Sequence, residues 1–182
     1  MKTWRVIIAL SFLLLSGCLV TFKDPIPAHD VAPRGLLGTW SSKNAWGEAL
    51  ELEVSRANNN VYKVISYRKG DRQHRDEYAV TLVRHGSRWY LSAKLPEKYG
   101  AHYALAGFEV TEADELVVYN PDMDRFDQWV EQKALEGQSM ETSLGKQLLI
   151  TSSLDKVFGY LDDPANFDVF QEVACYQRAA KQ

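Results

Sequence analysis

Ala49-Leu50-Glu51-Leu52-Glu53-Val54-Ser55 and Val61-Tyr62-Lys63-Val64-Ile65-Ser66-Tyr67-Arg68, with Asn58-Asn59-Asn60 between them, decide how this chain folds. Leu50, Leu52 and Val54 alternate with acids or serine. Successive side chains of a strand point to opposite faces, so this pattern buries one face and wets the other. The asparagine triplet suits the tight connection, because asparagine tolerates the left-handed backbone that turns demand. Working outward, strands are expected near 36–42, 48–55, 61–68, 77–84, 88–94, 102–111 and 115–119, and Tyr78, Val80 and Leu82 repeat the alternation. Lys69-Gly70-Asp71, His85-Gly86-Ser87 and Glu112-Ala113-Asp114 supply the turns. Connections this short join neighbouring strands in an antiparallel meander.

Beyond Asn120 the period changes. Met123, Phe126, Trp129 and Val130 share one helical face within residues 121–135, with Asp122 as cap and Gly137 as stop. A second helix is expected over 154–161, where Leu154, Val157, Phe158 and Leu161 recur at helical spacing behind Ser153, and Pro164 ends it. Strands are expected at 147–151 and 172–178. Residues 35–182 therefore form a single mainly β domain, an antiparallel meander with two short helices near the C-terminus.

Upstream, residues 19–34 carry Pro25, Pro27 and Pro33 without hydrophobic periodicity. They read as an extended tether, which at about 3 Å per residue reaches roughly 50 Å. Residues 1–17 combine basic Lys2 and Arg5, an apolar run from Val6 to Leu15, and small Ser16-Gly17. That is the layout of a secretory signal. The apolar run is half the length of about twenty residues that a membrane span requires.

Leu15-Ser16-Gly17-Cys18 resembles the lipobox that ends the signal peptide of bacterial lipoproteins. The resemblance implies a diacylglycerol on the Cys18 thiol, cleavage between Gly17 and Cys18, and acylation of the freed amine. A thiolate is the nucleophile that such a thioether needs, and two or three acyl chains hold a protein firmly where one does not. Residues 18–34 would then be the lipidated cysteine and its tether. Leu19 stands where an aspartate retains enterobacterial lipoproteins in the inner membrane, which implies the outer membrane; separately, the periplasmic face is expected in preference to the cell surface. The layout also resembles that of small envelope lipoproteins of proteobacteria.

Removing residues 1–17 takes away Lys2 and Arg5 and no acid, so the formal net charge moves from −3 to −5. An acidic domain is poorly suited to nucleic acid, whose phosphates want a basic stripe, and to a broad electrostatic grip on anionic lipid. Lipidation would consume one of the two cysteines, leaving Cys175 unable to form an intramolecular disulfide. Within Val173-Ala174-Cys175-Tyr176 it reads as a small core residue.

Gly38-Thr39-Trp40 at the head of the first expected strand, followed by the meander, resembles the start of lipocalin-like small barrels. The resemblance implies an up-and-down barrel whose closed end is plugged by Trp40 and whose open end admits an apolar ligand. It also implies a basic residue crossing the tryptophan, for which Arg178 is the candidate. The chain departs from the pattern in lacking Thr-Asp-x-Tyr and in having two late helices instead of one, so the resemblance covers residues 35–120.

Chemistry-bearing patterns are sparse. His29, His74, His85 and His102 have neither the spacing nor the cysteine neighbours of a zinc site. Asp122, Asp124 and Asp127 lack the glycine and closing glutamate of a calcium loop and suit the start of a helix. Arg68 to Glu77, of mixed sign, reads as a solvated hairpin loop. No nucleophile elbow and no phosphate-cradling glycine motif occurs. Neither catalytic residues nor metal ligands are expected, nor any cofactor beyond the lipid on Cys18. The aromatic supply points to binding, with Trp89, Tyr90, Tyr99 and Tyr103 as candidate ligand contacts at a barrel mouth. The expected function is non-enzymatic binding of a small apolar ligand. The alternative is docking of another envelope protein on exposed loops such as 68–77 and 97–102.

Overall fold

The computed structural model describes residues 19–43, 47–97, 100–142, 145–166 and 169–179. The lipobox, with Gly17 and Cys18, and the candidate Tyr99 lie outside the described residues. In chain order the strands are β1 (Leu19–Phe22), β2 (Gly38–Lys43), β3 (Ala49–Asn58), β4 (Val61–Arg68), β5 (Asp71–His85), β6 (Arg88–Lys94), β7 (Tyr103–Val110), β8 (Glu115–Pro121), β9 (Gly137–Thr142), β10 (Gly145–Ile150) and β11 (Phe170–Arg178). Helix α1 (Met123–Glu131) precedes β9, and α2 (Leu154–Leu161) precedes β11. Strands β2 to β8 pair in sequence order, all antiparallel, and β11 returns to lie between β8 and β2. The result is a closed eight-stranded antiparallel barrel, the mainly β architecture that the alternating residues predict.

The local chemistry acts where the pattern places it. Asn60 takes the left-handed backbone of the β3–β4 turn (φ 57°), and the Asn58 side chain accepts from the Asn59 N–H at 2.8 Å. Asp122 caps α1, accepting from the N–H groups of Asp124 and Arg125, and Ser153 caps α2. These caps satisfy donors that every helix start leaves unpaired.

Three expectations need correction. Residues 71–77 are strand, not loop: β5 starts at Asp71, and Tyr67, Ser66 and Ile65 pair with Arg75, Asp76 and Glu77. The turn shrinks to Lys69-Gly70, with Gly70 at φ 88°. Charge misleads here because one face of the barrel wall is open to water. There Arg72 donates to Glu53 and, at 2.9 Å, to the Tyr67 hydroxyl, which itself donates to Glu53 at 2.6 Å. Burial and then the Glu53 hydrogen bond push the Tyr67 phenol up to about 12, the Arg72 bond acting in the opposite direction. The second correction adds β9, whose Gly-Gln-Ser-Met-Glu-Thr sequence has no apolar alternation; backbone pairing with β10 holds it.

The third correction concerns residues 19–34, which are not a free tether. β1 runs parallel to β10 and antiparallel to the start of β7, and Val20, Phe22 and Ile26 are at most 4% exposed. Beyond β1 the chain lies along the barrel wall as a strap. The Ile26 N–H donates to Ser92 Oγ, its carbonyl accepts from Thr81 Oγ1, and farther on the Ala32 N–H donates to the Tyr62 hydroxyl at 2.7 Å. Prolines forbid regular strand here, yet these side-chain bonds give the strap's backbone the partners that burial requires. The folded domain therefore includes residues 19–34 and does not start at Gly35.

Two apolar cores result. One fills the barrel around Trp40, Val54, Tyr62, Leu82, Phe108 and Tyr176. The other lies outside the barrel, where α1, α2, β1 and β10 cover the outward residues Tyr90, Leu105 and Phe170. Phe126 of α1 meets Phe22, Trp129 and Phe170 edge-on at centroid distances of 5.8, 5.0 and 6.3 Å, an arrangement that aromatic quadrupoles favour. At the far end of α2, Asp162 pairs with His85 at 3.3 Å, and the His85 ring packs on Phe158.

Candidate functional site

The inside of a barrel this size is the natural place to look, because eight strands enclose a space that side chains either fill or leave open to one small ligand. At one end it is filled. Trp40 is fully buried, and its indole N–H donates to the Leu36 carbonyl at 2.9 Å. The Arg178 guanidinium lies 4.1 Å from the centre of the Trp40 ring and donates to Asp114 at 2.6 Å and to the carbonyls of Leu37 and Gly35. Gly38, at φ 132°, leaves room for that guanidinium, since a Cβ there would stand 3.0 Å from it. Gly38-Thr39-Trp40 is thus a plug, with Arg178 crossing the tryptophan. Trp89 belongs to the same end, its ring stacked on Phe108 at 6.1 Å.

The inner wall changes toward the opposite end. Residues directly opposed in an antiparallel pair share a face, so the register carries the inward face from Leu91 to Ala106, from Val80 through Ala93 to Ala104, and from Val118 to Ala174. Ser66 and Asp76 continue it from Leu52. Large aromatics give way to alanine and small polar residues. Leu95, Ala104, Tyr78 and Leu19 of β1 form a small apolar cluster at this rim.

The three described candidate contacts, Trp89, Tyr90 and Tyr103, are not brought together. Trp89 faces the interior, but at the filled end. Tyr90, its neighbour, must face outward, and it is 5% exposed between Phe158 and Phe170 at 5.3 and 5.4 Å; burial raises its phenol pKa. Tyr103 stands opposite Phe22 and Lys94, on the outer side. A pairing of Trp89 with Tyr90 at one mouth is therefore corrected by strand alternation. The inward positions toward this end, such as Ala93, Ala104, Ala106 and Asn120, escape a search based on aromatic content. Their signal was present as small residues at alternate positions of two adjacent strands.

Among the described residues, no three His, Cys, Asp or Glu side chains converge as a metal site. His74 pairs with Asp71 and His85 with Asp162, on separate parts of the surface. No described helix is long and apolar enough to cross a membrane. Cys175, expected in the core, is only half-buried, because it falls on the outward face of β11 between inward Ala174 and Tyr176. Burial, then Glu115 and Glu172, raise its thiol above the ordinary cysteine value. In a chain starting at Leu19, where Cys175 is the sole cysteine, reaction with a disulfide reagent should show a pH midpoint above about 8.5. A midpoint below that value would contradict the acidic, partly desolvated setting.

The chain matches no family model, no curated protein and no solved structure.

Proposed function

We propose that this protein is an envelope lipoprotein, held on the outer membrane by acyl chains on Cys18, whose barrel binds a small apolar ligand without catalysis. The observation that carries the binding half is the change of the inner wall, from bulky aromatics at the Trp40 end to Ala93, Ala104, Ala106 and Ala174 toward the other. Small side chains on neighbouring strands leave space that larger ones would otherwise fill. The anchoring half rests on the ordered signal and lipobox of residues 1–18. The two halves support each other, since Leu19 packs at the open rim against Leu95, Ala104 and Tyr78, and an anchor on the preceding residue would hold that rim near the bilayer.

Docking of another envelope protein is less favoured. One of its two candidate loops is strand, and among the described residues the exposed large hydrophobics are Val31 and Leu37, far short of an apolar docking face. Native mass spectrometry of the protein, gently purified from its host's envelope, tests the reading. Beyond the covalent lipid, an added mass of a few hundred daltons that leaves on denaturation is expected. A clean apo mass, repeated after incubation with envelope lipid extract, would sink it.

A further inference from the structure

We propose that Asn120 sets the ligand specificity of the barrel by accepting a hydrogen bond from the hydroxyl head of a long-chain amphiphile. This rests on the ligand-binding reading above and adds the chemistry of the ligand's polar end.

Asn120 follows inward-facing Leu116 and Val118 at alternate positions of β8. It is also the first inward residue past the point where β8 parts from β7, whose last pair on that side is Gly107 with Tyr119. Its amide oxygen is shut off from solvent, yet it accepts no hydrogen bond. Buried acceptors are nearly always paired, so an orphan calls for a reason. The obvious donor stands directly opposite in the β8–β11 register, but the Gln171 amide donates to Asp122 instead. Asp122 in turn caps α1, so drawing Gln171 back toward Asn120 would cost Asp122 one of its hydrogen bonds.

The surroundings suit a chain with a polar end. Ala174 lies across from Val118, and Ala106, 5% exposed, lies across from Leu91 on the neighbouring wall. An alkyl chain that parts the side chains closed over Ala106 and the Asn120 oxygen would run along these residues while its hydroxyl reaches that oxygen. A polar group built to bond a ligand discriminates by being left unpaired with the wrong one.

The test compares 1-dodecanol with dodecyl methyl ether, similar in chain but differing in the donor, through displacement of a fluorescent apolar reporter from the full folded domain. The wild type is expected to favour the alcohol by roughly tenfold. Asn120→Leu should bind both alike, and its ligand-free form should melt roughly 2–4 °C higher as the orphan acceptor is removed. Should Asn120→Leu not fold, Asn120→Ala is expected to lose the preference in the same way. A preference that survives in the variant, or equal binding of both probes by the wild type, overturns the role of Asn120 while leaving barrel binding intact. Failure of the wild type to bind either probe overturns this inference together with the alkyl-chain form of the reading it rests on.

Discussion

A chain that begins at Arg34 is expected to lose cooperative folding, whereas one that begins at Leu19 is expected to keep it. A tether reading of residues 19–34 would invite the shorter version. That version lacks Val20, Phe22 and Ile26, each at most 4% exposed, and each buried side chain of this kind is worth about 1.5–3 kcal/mol. Together they contribute about 5–9 kcal/mol, comparable with the 5–15 kcal/mol by which a typical domain is stable. Truncation also uncovers the edges of β7 and β10 that β1 joins, and such edges invite aggregation. Urea unfolding followed by tryptophan fluorescence checks this. A single sharp transition at the same midpoint in both chains would show that β1 and the strap contribute nothing.

Trp40→Ala is expected to be the most damaging single substitution at the closed end, costing about 3–5 kcal/mol for a large aromatic removed from a filled core. Trp40 is fully buried, and its indole bond to Leu36 ties the strap to the barrel floor. Arg178→Ala should cost about 1 kcal/mol, because the guanidinium is partly exposed and its charge is screened. The two residues should nevertheless be coupled: a double-mutant cycle is expected to return about 0.5–1 kcal/mol for the stack of Arg178 on Trp40. Strict additivity would mean that the guanidinium only covers the ring without attracting it.

The outcomes at these sites share a physical cause. Leu50, Leu52 and Val54 revealed a strand because one of its faces is dry and the other wet, and that contrast is written in the residue order. The first half of β5 was unreadable for the converse reason: outside the core, charged residues on strand and loop look alike, and backbone pairing with Tyr67, Ser66 and Ile65 decides between them. Strand β1 was hidden because both of its faces are covered. Thr21 is as buried as Phe22, and four residues with no wet face carry no period.

The site was less legible than the fold. Trp40 and Arg178 were linked in advance through a resemblance, and the stack is present. The far end of the barrel was sought among aromatics, yet its inward positions carry small side chains such as Ala93 and Ala106. Trp89 and Tyr90 looked like a pair in sequence and are separated by the barrel wall, because strand neighbours point to opposite faces.

The residue order alone determined an antiparallel β domain with two capped helices, through alternation, turn residues and helical spacing, all of which act over a few positions. The closure of eight strands by β11, the recruitment of residues 19–34 into the fold, and the orphaned oxygen of Asn120 were decided only in three dimensions. Each depends on contacts between segments many tens of residues apart, where what a side chain meets is set by how the whole chain packs.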